Sequence, residues 1–105
     1  MKVAVFNIGK ILSGDLAAPV ARGDTVVMAE SKIVSVGNGG NVADCDIAID
    51  AAGMMVIPGL IDSHVHITFG DYSPRQKTVG FLESYIHGGV TTCTSEALMH
   101  VVTPP

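Results

Sequence analysis

Cysteine is scarce in this chain, and so are basic residues. Only Cys45 and Cys93 occur among the 105 residues, without C-x-x-C spacing. A disulfide scaffold is therefore not expected, and both are read as reduced thiols. Six Lys and Arg stand against ten Asp and Glu, for a net charge of −4. That balance argues against nucleic-acid binding, which needs basic patches facing the phosphate backbone. No apolar run approaches the ~18 residues of a membrane-spanning helix. The opening MKVAVFNIGKILSG is broken by Asn7, Gly9 and Lys10 where an export signal needs an unbroken apolar stretch. No membrane partner is expected, and the cytoplasm is the expected location. Internal repeats and low-complexity tracts are also missing.

What remains is globular. Hydrophobic residues make up 48% and charged residues 15%, too apolar for disorder and of a size for one ordinary domain. Residues 1–55 read as short strands and tight turns. Val3 and Val5 mark a first strand, Asn7-Ile-Gly9 a bend, and Ser13-Gly-Asp15 a turn. Thr25–Ala29 and Ile33–Val36 read as a hairpin about Glu30-Ser-Lys32, and Gly37-Asn-Gly-Gly40 breaks the chain. Asp46–Asp50 alternates with Ile47 and Ile49 on one face, and Ala51-Ala-Gly53 turns it. This pattern predicts a small β-sandwich or meander.

The pattern changes after residue 55. An apolar strand starting at Met54–Ile57 is interrupted by Pro58-Gly59 and continues through Leu60–Ile67. Proline cannot donate to a sheet ladder, so Pro58 belongs at a strand start, edge or bulge. Phe69–Ser73 is a loop. Ser73, Pro74 and Gln76 form a helix start with a capping box. Val79, Leu82, Tyr85 and Ile86 recur at helical spacing and predict a buried face. His87 suits the last turn and Gly88-Gly89 the stop. Val90–Thr94 is β-branched and predicts the next strand. Such a strand–helix–strand unit implies parallel strands with a right-handed crossover.

The stretch VIPGLIDSHVHI carries the chemistry. Side chains alternate faces along a strand, so Asp62, His64 and His66 are expected to point one way. Histidines one residue apart lie roughly 6.5–7 Å apart at Cα, and their imidazoles can converge on one metal ion. Asp62 is then either an acceptor that orients a ring nitrogen or a support for the strand end. The pair lies at the carboxyl end of the strand, where ligands gather in parallel β/α folds. The plainer alternative is a solvent-facing strand side with Ile61, Val65 and Ile67 in the core, since an H-x-H pair is common by chance.

The string PGLIDSHVHI resembles the first-strand motif PGxIDxHxH of the metal-dependent amidohydrolase superfamily. The β-rich leader, Ile49-Asp-Ala-Ala-Gly53 and Gly88-Gly-Val-Thr-Thr92 resemble segments of that family in the same order. Asn7-Ile-Gly-Lys-Ile11, Ser13-Gly-Asp15 and Gly70-Asp-Tyr-Ser-Pro-Arg-Gln-Lys77 narrow the likeness to bacterial cyclic-amide hydrolases, and it fades over residues 93–105. The resemblance implies an α/β fold: an N-terminal part of a small β-sandwich (1–55), then the first β/α unit and second strand of an incomplete (β/α)8 barrel (56–105). It also implies hydrolysis of a cyclic amide or related C–N bond by metal-activated hydroxide, with a small molecule as substrate. His64 and His66 would be metal ligands and Asp62 a supporting residue. The cofactor would be a divalent metal, zinc before iron or another, binuclear in the intact enzyme, which can be a homo-oligomer. Dihydroorotase, hydantoinase, imidazolonepropionase and deaminase types stay open, as does a non-catalytic remnant.

A barrel needs eight strands and about 250 residues, and a catalytic zinc takes three protein ligands plus water. The chain is therefore expected to be an N-terminal piece, inactive alone, with an open sheet edge and an uncovered helix face. No residue is assigned the proton-shuttling role. Arg75 is a candidate for an anionic substrate group through bidentate hydrogen bonds, against the plainer reading of a solvated arginine. Asp71, Tyr72, Glu96 and His100 are weaker candidates. Cys93 reads as a small buried hydrophobe, and Met28, Met54, Met55 and Met99 as core filler.

Overall fold

The computed structural model describes residues 1–39, 42–65 and 78–95. It divides into two compact units, Met1–Pro58 and Gly59–Pro105. Among the described residues no helix is long and apolar enough to cross a membrane.

The first unit holds seven strands: β1 (Lys2–Phe6), β2 (Lys10–Leu12), β3 (Val20–Ala21), β4 (Thr25–Ala29), β5 (Lys32–Gly37), β6 (Ile47–Asp50) and β7 (Met55–Val56). They form a four-stranded sheet in the order β5-β4-β1-β6 and a three-stranded sheet in the order β3-β2-β7. β1 runs antiparallel to β4 but parallel to β6, and β2 is parallel to β7. A plain meander is therefore ruled out. The alternating Val3 and Val5 of β1 stand in register with Ile47 and Ile49 of β6 and with Met28 and Val26 of β4. The core joins the two sheets: Ile8, Ile11, Val26 and Ala51 are buried, with Val5, Ala21, Met28 and Val56 packed against them. Met54 and Met55, expected as filler, are instead exposed. β7 is two residues long and offers one inward position, which Val56 takes.

Turn chemistry joins these strands. Glu30 and Ser31 both have positive φ, 49° and 62°, in a two-residue hairpin between Ala29 and its partner Lys32, the type I′ arrangement that matches strand twist. Asp50 Oδ1 accepts from the Ala52 N–H at 2.7 Å and from Asn7 Nδ2 at 2.9 Å. These bonds hold the Ala52-Gly53 turn and keep the Asp50 carboxyl below its ordinary value. Gly9 lies so close to the Gly53 carbonyl that a Cβ there would overlap it.

The second unit contains β8 (Leu60–Val65), α1 (Thr78–His87) and β9 (Val90–Ser95). β8 and β9 pair in parallel, as the strand–helix–strand reading predicts. Gly89, with φ 86°, ends the helix, and the Gly88 N–H still reaches the Ser84 carbonyl at 3.0 Å. The expected capping box at Ser73, Pro74 and Gln76 lies outside the described residues, as does the Phe69–Ser73 loop. The buried helix face differs from expectation. Leu82 and Tyr85 are half-buried together with Phe81, whereas Val79 and Ile86 are each 68% exposed. A two-stranded sheet is too narrow to cover the whole apolar stripe, so its outer members stay in solvent.

Candidate metal centre

β8 is apolar where it begins and polar where it ends. Pro58-Gly59 precedes it for a steric reason: a Cβ at Gly59 would run into the Thr91 side chain of β9. The Leu60 N–H then donates to the Gly89 carbonyl at 2.9 Å, which seats the first residue of the strand.

The pairing is not regular beyond that point. Asp62 stands opposite Cys93, but Val65 stands opposite Ser95. Two residues of β8, Ser63 and His64, thus face one residue of β9, as in a β-bulge. One extra residue inverts the alternation of faces. Asp62 and Val65 consequently share the face that carries Cys93 and α1, while His64 belongs to the opposite face with Ile61. Exposure agrees: Asp62 is half-buried and Val65 buried, whereas Ile61, Ser63 and His64 are exposed. The expectation that Asp62 and His64 point the same way is corrected by this bulge, which strict alternation does not foresee.

Asp62 uses both carboxylate oxygens. Oδ1 accepts the backbone N–H of His64 at 3.0 Å, and Oδ2 accepts the Tyr85 hydroxyl of α1 at 2.9 Å. The His64 N–H holds the Asp62 carboxyl below its ordinary value, the Tyr85 hydroxyl and the charge of His64 add to this, and burial opposes it. Tyr85 is pushed up, first by donating to Asp62, then by burial and by electrostatic interaction with Asp62. The Tyr85 ring packs on Phe81 with centroids 4.6 Å apart. Leu82, Tyr85 and Ile86 line a small cavity with Val90–Cys93. Half-buried Cys93 therefore serves as a packing residue, as its composition class predicts.

Helical periodicity marks Tyr85 as an apolar position and assigns no role to its hydroxyl. The available signal was chemical: a tyrosine on a packed face needs a hydrogen-bond partner, and Asp62 is the one acid of β8. His87 is exposed in the last helical turn. His66, Arg75, Asp71, Tyr72, Glu96, Met99 and His100 lie outside the described residues. Among the described residues no cluster of three or more His, Cys, Asp or Glu could hold a metal ion. His64 does fit as one donor of such a set: its imidazole is exposed, on the strand face turned away from the helix, at the carboxyl end of β8.

Comparison with known proteins finds relatives of one superfamily. The chain is similar over nearly its whole length to amidohydrolase-superfamily proteins, with the PGLIDSHVHI strand inside the shared region. It is 48% identical over 101 residues to enamidase of Eubacterium barkeri, covering 94% of this chain and 26% of that protein. The crystal structure of enamidase, described as a member of the amidohydrolase superfamily, matches 90% of this chain and 25% of its own with a TM-score of 0.74 and 49% identity. Imidazolonepropionase of Paenarthrobacter aurescens is 32% identical over 86% of this chain and 22% of that protein. L-Hydantoinase (dihydropyrimidinase) of Arthrobacter aurescens matches 87% of this chain and 19% of its own with a TM-score of 0.69 and 28% identity. No family model matches the chain. The chain spans about a quarter of the length of the curated relatives it matches.

Proposed function

We propose that this chain forms the N-terminal portion of a metal-dependent hydrolase of cyclic amides. The observation that carries the reading is the 48% identity to enamidase, running through a strand whose exposed His64 is set apart from the helix face by a bulge. His64 and His66 would hold a divalent metal, zinc by preference, one of two in an intact (β/α)8 barrel. When bound, such an ion supplies Lewis acidity and lowers the pKa of its water. The chain's own residues do the positioning. Asp62 is assigned a supporting role: one oxygen takes the His64 N–H of its own strand and the other the Tyr85 hydroxyl of the helix. Arg75 is proposed for an anionic group on the substrate. A six-membered lactam carrying a carboxylate, such as 6-oxo-tetrahydronicotinate, suits that assignment. The similarity to imidazolonepropionase and L-hydantoinase keeps other ring C–N substrates in view.

Metal content by elemental analysis tests the reading. A His64→Ala, His66→Ala double change in the full-length protein is expected to abolish bound metal while the fold persists by circular dichroism. Unchanged metal content would remove the ligand assignment, and with it the proposed chemistry.

A further inference from the structure

We infer that Tyr85 is a positioning residue for His64, acting through Asp62 from the first helix of the unit. The inference rests on the proposed ligand role of His64. Tyr85 Oη donates to one oxygen of Asp62 at 2.9 Å, and the other oxygen takes the His64 N–H at 3.0 Å. The carboxylate thereby links α1 to the one irregular step at the carboxyl end of β8, between Asp62 and Val65. That irregularity decides which face His64 takes, because a regular strand would return it to the face of Asp62. Asp62 supplies the acceptor for an N–H that lies within the bulge, and Tyr85 fixes the rotamer of Asp62. Without the hydroxyl the carboxylate is released to solvent, and regular pairing, which turns the imidazole toward the helix, competes with the bulge. Packing alone does not require this: the ring of Tyr85 already stacks on Phe81, and a phenylalanine would fill the same space.

Cobalt(II) is the probe, titrated into the metal-free full-length protein and followed by its visible absorption and by equilibrium dialysis. Tyr85→Phe is expected to weaken cobalt binding on the order of tenfold, as loss of an outer hydrogen-bond partner does, and to alter the absorption band. Asp62→Asn should weaken binding comparably, and the double variant no further, because both changes break one chain of bonds. If Tyr85→Phe does not fold, Asp62→Asn alone carries the test. Wild-type affinity and an unchanged band in the folded variants, beside loss of cobalt in His64→Ala, overturn the positioning role and leave the ligand reading standing. Full cobalt binding by His64→Ala overturns the ligand reading itself.

Discussion

The His64 N–H first, and then Tyr85, favour the ionised Asp62, while Asp62 favours the protonated Tyr85, and this sets a pH window for the second unit. A carboxyl depressed from its ordinary 3.8 contributes stability that is complete above that value and is lost as pH falls through the folded pKa. A phenol raised from 10.0 contributes stability that is complete below that value and is lost as pH rises through its folded pKa. The advantage of wild type over Tyr85→Phe in denaturant midpoint is therefore expected to be flat between these limits and to shrink at both ends. Parallel curves across the whole range would show that the hydrogen bond adds nothing. Gly59 offers a second test at this scale. Gly59→Ala drives a methyl group into Thr91 and is expected to cost about 1–3 kcal/mol by overpacking. Adding Thr91→Ala should recover most of that in thermal melts. No recovery would place the strain in the backbone instead. The histidine motif is readable in the sequence because residue type and spacing carry it. The direction of Asp62 is not, because one extra residue in the register decides it and no local pattern announces that residue.

At the scale of elements, the legible parts are those with a local cause. β4 and β5 follow from β-branched runs on either side of a tight turn, and β1 and β6 from alternation. The strand–helix–strand order follows from Gly88-Gly89 and the β-branched Val90–Thr94. β2 and β3 were not legible: three and two residues long, they are too short to show a period of two. β2 owes its place to pairing with the distant β7. The helix face was half legible, since periodicity predicts a stripe but not the width of the sheet beneath it. The hairpin itself yields a prediction. Ser31 holds φ 62° in a type I′ turn, where an L side chain is strained and glycine is not. Ser31→Gly is expected to raise stability by up to ~1 kcal/mol, read as a higher melting temperature with an unchanged circular-dichroism spectrum. A lower melting temperature would mean that the flexibility gained by the unfolded chain outweighs the relieved strain.

For the whole molecule, the mismatch between the two sheets of the first unit matters most. Two apolar rows cross the four-stranded sheet, Ile47–Val3–Met28–Ile33 and Ile49–Val5–Val26–Val36. Their middle members Val5, Val26 and Met28 belong to the core with residues of the smaller sheet, and the ends are left exposed, 65% at Ile33 and 44% at Ile47. An apolar cleft of about 300 Å³ opens on the β5 side, lined by Ile11, Ala21, Val26, Ile33, Val36 and Val56. Exposed apolar rows beside an outer strand favour edge-to-edge and face-to-face association. The purified 105-residue chain is therefore expected to self-associate at micromolar concentrations, with sedimentation coefficients that rise with concentration. Charge at the row ends opposes such contacts, so Ile33→Lys with Val36→Lys should shift the distribution toward monomer without unfolding the sheet, because both side chains are exposed, 65% at Ile33 and 45% at Val36. A wild-type chain whose sedimentation is that of a monomer at every concentration would show that these row ends are covered in solution, and the width of the four-stranded sheet would then be no guide to how the chain associates.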